Sequence, residues 1–249
     1  MIIFMRIDRL LCEMNIGSRS QVKELIKKGQ ICVDGKIIKK PETHVDEYSA
    51  VVTCQGKEYR YSPYIYYMMN KPPGVITATW DEKEQTVLDV LRHELLKDSH
   101  GDLAGIPLKD IFPVGRLDKD TVGLLLLTNN GELAHSLLSP KKHVPKKYFV
   151  KTDKPISSEM IKCLEEGVMI GPEEKTLPAV LEDWSGSQCC ITITEGKYHQ
   201  VKRMFHGVGA EVVFLKRLSM GTLTLDEGLR EGQIRKLKQE EVNALCSKI

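Results

Sequence analysis

Apolar residues at Ile7, Leu10, Leu11 and Met14 recur at the i, i+3, i+4, i+7 spacing of one helix face. Gly17 supplies a stop, Ser18 or Ser20 can cap a second helix running through Lys28, and Gly29 closes it. The period then changes. Residues 30–33 read as a strand, Asp34-Gly35 is the two-residue turn that hairpins favour, and residues 36–38 return. Two short helices on a hairpin predict a core of Leu10, Leu11, Val22, Leu25, Ile26, Val33 and Ile37. Arg6, Arg9, Arg19, Lys23 and Lys27 are then left to face outward.

Beyond residue 60 the pattern lengthens into a second, larger body. Residues 61–69 are aromatic and apolar, the mark of a strand, broken by the turn Asn70-Lys71-Pro72-Pro73-Gly74. Residues 86–96 read as a helix with Val87, Leu88, Leu91 and Leu95 on one face, and a polar loop with Gly101, Gly105 and Pro107 leads to an apolar segment at 111–114. The glycine-flanked segment 115–123 precedes a strand at 124–128, and Asn129-Asn130-Gly131 turns the chain into a helix over 133–138. Further strands are predicted at 148–151, 189–193 and 211–215, with helices near 157–166 and 199–206. This irregular alternation predicts an α+β protein: a small two-helix-plus-hairpin domain at 1–60, then a mixed, mainly antiparallel sheet with helices on its faces at 61–249.

Charge sharpens the division. Residues 1–44 carry nine Lys and Arg against five Asp and Glu, whereas the whole chain has a net charge of only +2. A basic head on a near-neutral body suits a module that docks on a polyanion. The seven cysteines show neither CxxC spacing nor a histidine rhythm, so reduced thiols in a cytoplasmic protein are expected instead of disulfides or zinc. No apolar run approaches the roughly 18 residues of a membrane span. The residues from Met1 to Met5 are too short for a secretory segment, and Met5 is an alternative initiator.

Asp118 stands between a glycine-containing turn and a fully apolar strand, a sheltered edge where a carboxylate can act as nucleophile or base. Aspartate is also a common turn residue, and position alone does not separate the two readings. The segment further matches D-x-D-x-V (Asp118, Asp120, Val122), the nucleophile motif of magnesium-dependent phosphatases. That motif wants its first aspartate directly after an apolar strand, and Gly115 and Arg116 interrupt here. It also wants an acidic pair downstream of another apolar strand, which this sequence lacks.

Two resemblances decide between these readings. The segment MRIDRLLCEMNIGSRSQVKELIKKGQICVDGKIIKKP resembles the RNA-binding domain of small-subunit ribosomal protein S-four. The segment GRLDKDTVGLLLLTNNGELAHSLL resembles the central motif of bacterial pseudouridine synthases, G-R-L-D-x-x-T-x-G-L. MNKPPGVITA, KKHVPKKYFV, TEGKYHQVKRMF and the closing LKRLSMGTLTL and LREGQIRKL follow in that family's order. The S-four-like head joined to HQVKRM is most similar to the ribosomal small subunit pseudouridine synthase A family.

The resemblance implies conversion of uridine to pseudouridine in ribosomal RNA or a ribosomal subunit precursor, with 16S rRNA and the uridine conventionally called position 516 as target. It implies no cofactor and no metal, because the isomerisation involves no redox change. It makes Asp118 the catalytic carboxylate, Tyr148 the ring that packs on the uracil, and Lys202 the cation in the position where many relatives carry an arginine paired with the aspartate. Arg203 is adjacent, so the pairing is open between the two. His199 is read as structural, and Leu218 and Leu223 as pocket walls or core. Candidate RNA contacts are Arg6, Arg9, Ser18, Arg19, Ser20, Lys23 and Lys27 in the head, and Arg116, Lys141, Lys142, Lys146, Lys147 and Arg203 in the body, with His143 inside the same basic run. A monomer away from membranes is expected. The competing readings are a synthase acting on 23S rRNA, and an RNA-binding ribosome-assembly factor whose catalysis is dispensable.

Overall fold

A computed structural model describes residues 4–14, 16–62, 64–97 and 110–247. The loop with Gly101, Gly105 and Pro107 lies outside them. The described residues fall into two compact units that divide between Tyr64 and Ile65.

In the first unit, β1 (Phe4–Arg6) leads into α1 (Ile7–Glu13), and α2 (Arg19–Lys27) follows. Ser18 caps α2: Gln21 N–H donates to the Ser18 hydroxyl while the Gln21 side chain accepts from Ser18 N–H at 2.8 Å. The predicted hairpin is β2 (Ile31–Val33) and β3 (Lys36–Ile37), with β4 (His44–Asp46), β5 (Val51–Cys54) and β6 (Lys57–Arg60) added. β1 pairs with β4, and β3-β2-β5-β6 form an antiparallel sheet. Ile7, Leu10, Leu11, Val22, Ile26, Ile31, Val33 and Val52 pack the core, with Leu25 at its margin. Ile37 is a correction: it is 58% exposed, because a two-residue edge strand reaches past the helices that would cover it.

The second unit runs β7 (Tyr66–Lys71), α3 (Val87–Lys97), β8 (Phe112–Pro113), β9 (Val122–Thr128), α4 (Gly131–Leu138) and β10 (Lys146–Thr152). It continues with α5 (Ser158–Glu166), β11 (Met169–Gly171), β12 (Glu174–Lys175), β13 (Val180–Ser185), β14 (Gln188–Ile193) and α6 (Gln200–Gly207). Then come β15 (Val212–Met220), β16 (Leu223–Thr224), β17 (Ile234–Lys236) and α7 (Gln239–Cys246). The main sheet has the order β13-β14-β10-β15-β9-β7-β17. Its pairs are antiparallel except β15 with β9. The mixed, mainly antiparallel sheet expected of this unit is therefore present. Every residue of β9 is buried, as its unbroken apolar run requires of a central strand covered on both faces. Leu223 belongs to the core, packed with Leu124, Leu126, Leu133 and Met220.

The first strand of this unit starts later and ends later than the sequence suggested. Tyr61 is not in it, and Asn70 and Lys71, read as turn, are its last two residues. Proline at 72 stops the ladder only after Lys71 has been committed to it.

Candidate active site

The segment linking β8 to β9 carries Asp118, and it is clamped from three sides. Leu117 N–H donates to the Thr77 hydroxyl at 3.1 Å, which donates back to the Leu117 carbonyl at 2.7 Å. Gly74 N–H donates to the Lys119 carbonyl at 2.8 Å, and Thr121 N–H to the Asp118 carbonyl at 3.1 Å. Beneath the loop lies Lys71, fully buried, its ammonium donating to the carbonyls of Pro72 (3.1 Å), Lys119 (3.3 Å) and Thr121 (2.9 Å). Burial pushes this ammonium down to about 8, and the negative charges of Asp120 and Asp118 oppose that shift. Lys71 thus ties together the two ends of the turn that presents the aspartate. A lysine two residues beyond the apolar run Tyr67-Met68-Met69 was the available signal, and its membership in a proline-rich turn motif concealed it.

Asp118 meets α6 at its first turn. Lys202 Nζ lies 3.1 Å from Asp118 Oδ2 and 2.6 Å from Asp120 Oδ1, so one ammonium spans two carboxylates. Burial alone would lower the Lys202 pKa, but its hydrogen bonds to Asp120 and Asp118 outweigh that and leave it raised. The same contact holds Asp120 below the usual carboxylate range against the opposing effect of burial. His199 Nε2 stands 3.4 Å from Asp118 Oδ1. His199 is the N-cap residue of α6 and adopts a left-handed φ of 48°, which turns its ring towards the aspartate. Reading His199 as structural missed this contact, because a left-handed histidine leaves no mark in the sequence.

Arg203, the other cation considered for the aspartate, points elsewhere. Its guanidinium donates to Glu174 Oε2 at 2.7 Å, to the Ile170 carbonyl, and to the Tyr198 carbonyl at 3.0 Å. Val201, Met204 and Phe205 are buried, as the helix period predicted.

Tyr148 is 8% exposed on β10, and the sheet register gives it unforeseen company. Lys71 is opposite Gly123, Gly123 opposite Arg217, and Arg217 opposite Tyr148, so the four form one row across β7, β9, β15 and β10. Gly123 has φ +101°, and a Cβ there would collide with the Arg217 backbone; only glycine permits the close β9–β15 approach. Arg217 is buried, and its Nε donates to the Leu124 carbonyl at 2.7 Å, while its Nη2 has no hydrogen-bond partner among the described residues.

The other basic residues divide. Arg116, Lys141 and Lys142 are exposed. Lys147 is paired with Glu182 at 2.7 Å. Lys146 is a correction: it is 7% exposed, and its ammonium donates to the Val144 carbonyl at 3.0 Å, so it is not an exposed RNA contact. In the first unit Arg19, Ser20, Lys23 and Lys27 are exposed on α2, whereas Arg6 is bonded to Asp8 at 2.7 Å and Arg9 to Glu13 at 2.8 Å. Ser18 is occupied by its capping role. Among the described residues no cluster of three or more His, Cys, Asp or Glu side chains could hold a metal ion, and no helix is long and apolar enough to cross a membrane.

This loop and its lysine-bridged carboxylates lie within residues 65–207, which match the family described as RNA pseudouridylate synthase. The chain belongs to that family. Residues 5–48 match the S4 domain. An uncharacterized RNA pseudouridine synthase of Bacillus subtilis is 49% identical over 97% of this chain and 98% of its own length. Ribosomal small subunit pseudouridine synthase A of Vibrio cholerae is 38% identical over 97% of this chain and 99% of that protein, and the Escherichia coli protein of the same name 34% over 96% and 98%. The crystal structure of a pseudouridylate synthase superposes with a TM-score of 0.64, at 31% identity, over 97% of this chain and 99% of that one. The pseudouridine synthase body with its S4 head makes the protein an RNA-modifying isomerase.

Proposed function

We propose that the protein isomerises one uridine of small-subunit ribosomal RNA to pseudouridine, the site implied for 16S rRNA above, with Asp118 as the catalytic carboxylate. The observation that carries this reading is the Asp118–Lys202 contact of 3.1 Å on a loop anchored from below by Lys71. The reaction breaks the bond between ribose and the uracil nitrogen, rotates the base and rejoins it through carbon, with a proton lost from that carbon and one gained at the nitrogen. An ionised carboxylate is the group required, whether as nucleophile or as base at the ribose. Lys202 sets a cation against the Asp118 carboxylate, and Tyr148 offers its ring to the uracil once the nucleotide has been flipped from its stack. The first unit, residues 1–60 in our reading, docks on phosphates through Arg19, Lys23 and Lys27, and the protein works on the ribosomal subunit or its precursor in the cytoplasm. The relatives named for the small subunit support that target.

Mapping pseudouridines in both ribosomal RNAs of a deletion strain tests this. One small-subunit pseudouridine should disappear, and wild-type protein but not Asp118→Asn should restore it. The amide is nearly isosteric yet can act neither as nucleophile nor as base. Loss of a large-subunit pseudouridine instead would overturn the target, and restoration by Asp118→Asn would overturn the carboxylate.

A further inference from the structure

Tyr198 is among the most exposed large side chains of the second unit, at 75%, yet it is held firmly. Its ring is stacked on that of His199, centroids 3.8 Å apart and planes 18° from parallel. Its carbonyl is held by Arg203, which is itself anchored to Glu174 and Ile170. The turn closes on both sides, with Lys197 N–H donating to the Gln200 side chain at 2.9 Å and Gln200 N–H to the Lys197 carbonyl at 3.2 Å. The layers therefore run from the Asp118 carboxylate to the His199 imidazole to the Tyr198 phenol. Because one face of the phenol is covered and the residue is still three-quarters exposed, its other face is open.

We propose that the Tyr198–His199 stack is a platform for the nucleobase adjoining the target uridine, a binding element distinct from the ring assigned to the uracil. This rests on the reading of the protein as an RNA pseudouridine synthase. Flipping a uridine out of a stack strips its neighbour of one stacking partner, at a cost of a few kcal/mol. An immobilised aromatic face one ring layer beyond His199 restores that partner at no cost in side-chain ordering. The target uracil is given to the Tyr148 ring, and the His199 ring, one face on Tyr198 and its Nε2 on Asp118, stands between the Tyr198 phenol and the carboxylate. The cations flanking the turn are already paired, Lys202 with Asp118 and Asp120 and Lys197 with Glu195, so the occupant is held by its uncharged face, and stacking accepts any base.

Transcribed small-subunit rRNA serves as the probe in two measurements. In single-turnover assays Tyr198→Ala should raise the half-saturating RNA concentration about tenfold, the size of one lost base–aromatic stack, with the thermal midpoint unchanged. Tyr198→Phe should behave as wild type. Separately, Tyr198→Trp in a Trp80→Phe, Trp184→Phe background should lose fluorescence on binding the transcript but not on binding heparin, a polyanion without bases. Equal half-saturation for Tyr198→Ala and wild type, or equal quenching by heparin, overturns the platform. Quenching needs no turnover, so the fluorescence decides the platform even where the protein-free transcript is left unmodified, and the small-subunit target is decided separately by mapping in the deletion strain.

Discussion

Replacing Lys202 tests the electrostatics of the site most directly. The Asp118 and Lys202 side chains are 26% and 25% exposed, so their 3.1 Å contact is partly but not wholly shielded from water. Coulomb's law at an effective dielectric of about 20 gives such a pair about 5 kcal/mol, before desolvation is subtracted. Removing one partner of a buried pair costs ~3–5 kcal/mol, and the remaining exposure argues for the lower end. Lys202 also bridges Asp120, so its loss leaves two carboxylates facing each other without a cation between them. About 3 kcal/mol on the barrier is about 100-fold in rate. Lys202→Ala should therefore slow the single-turnover chemical step ~100-fold while changing RNA affinity far less. Lys202→Arg should remain within about tenfold of wild type, since a cation still reaches the carboxylates. Arg203→Ala is the control: its guanidinium is engaged by Glu174, Ile170 and Tyr198, so its loss should lower thermal stability and RNA affinity and spare the chemical step. If Arg203→Ala abolished the rate while Lys202→Ala kept it, the geometric reasoning would be refuted.

Two further outcomes follow from the same contacts. The exposed lysines of α2 should act additively on salt dependence: Lys23→Ala and Lys27→Ala should each reduce the slope of log affinity against log salt by about one, as titrations of RNA binding at several salt concentrations would show, and an unchanged slope would exclude them as phosphate contacts. Lys71 has a native pKa of about 8 against 10.5 for an unperturbed lysine, so between those values the unfolded chain binds the extra proton and stability from this group rises with pH. At 1.36 kcal/mol for each pH unit, wild type should gain about 3 kcal/mol relative to Lys71→Met between pH 8 and pH 10.5, measurable by urea unfolding, and a pH-independent difference would contradict a depressed pKa for Lys71 in the fold.

What the sequence disclosed followed from periodicity and from motifs. The helix faces of α1, α2 and α6 and the apolar run of β9 were legible because burial repeats at the period of each element. The Asp118–Lys202 contact joins residues 84 positions apart, and no local pattern signals it; only the order of the motifs did. Lys146 was legible and missed. Read at period two, Lys146, Tyr148 and Val150 share the buried face of β10, but the neighbouring lysines suggested a basic run on RNA phosphates. His199 and Arg217 were not legible, since a left-handed backbone and a cross-strand row arise only when distant segments pair.

The distribution of charge at the site constrains how RNA can be held there. Asp118 and Asp120 share a single ammonium, and the next cation, Lys71, is sealed beneath the loop with its donors spent on backbone carbonyls. A phosphate brought directly onto this pair of carboxylates would meet uncompensated negative charge at short range, where water cannot screen it. Phosphates are thus better held at the periphery, by exposed cations such as Arg116 and Lys141, while the centre receives groups without charge, the ribose and the bases. Uncharged groups are recognised by stacking and shape, which is why the aromatic rings of Tyr148 and Tyr198 matter more at the centre than the basic residues do. The division also separates two measurable quantities: peripheral substitutions should move the salt dependence of binding, and central ones should move the rate or a base-dependent affinity that salt leaves alone.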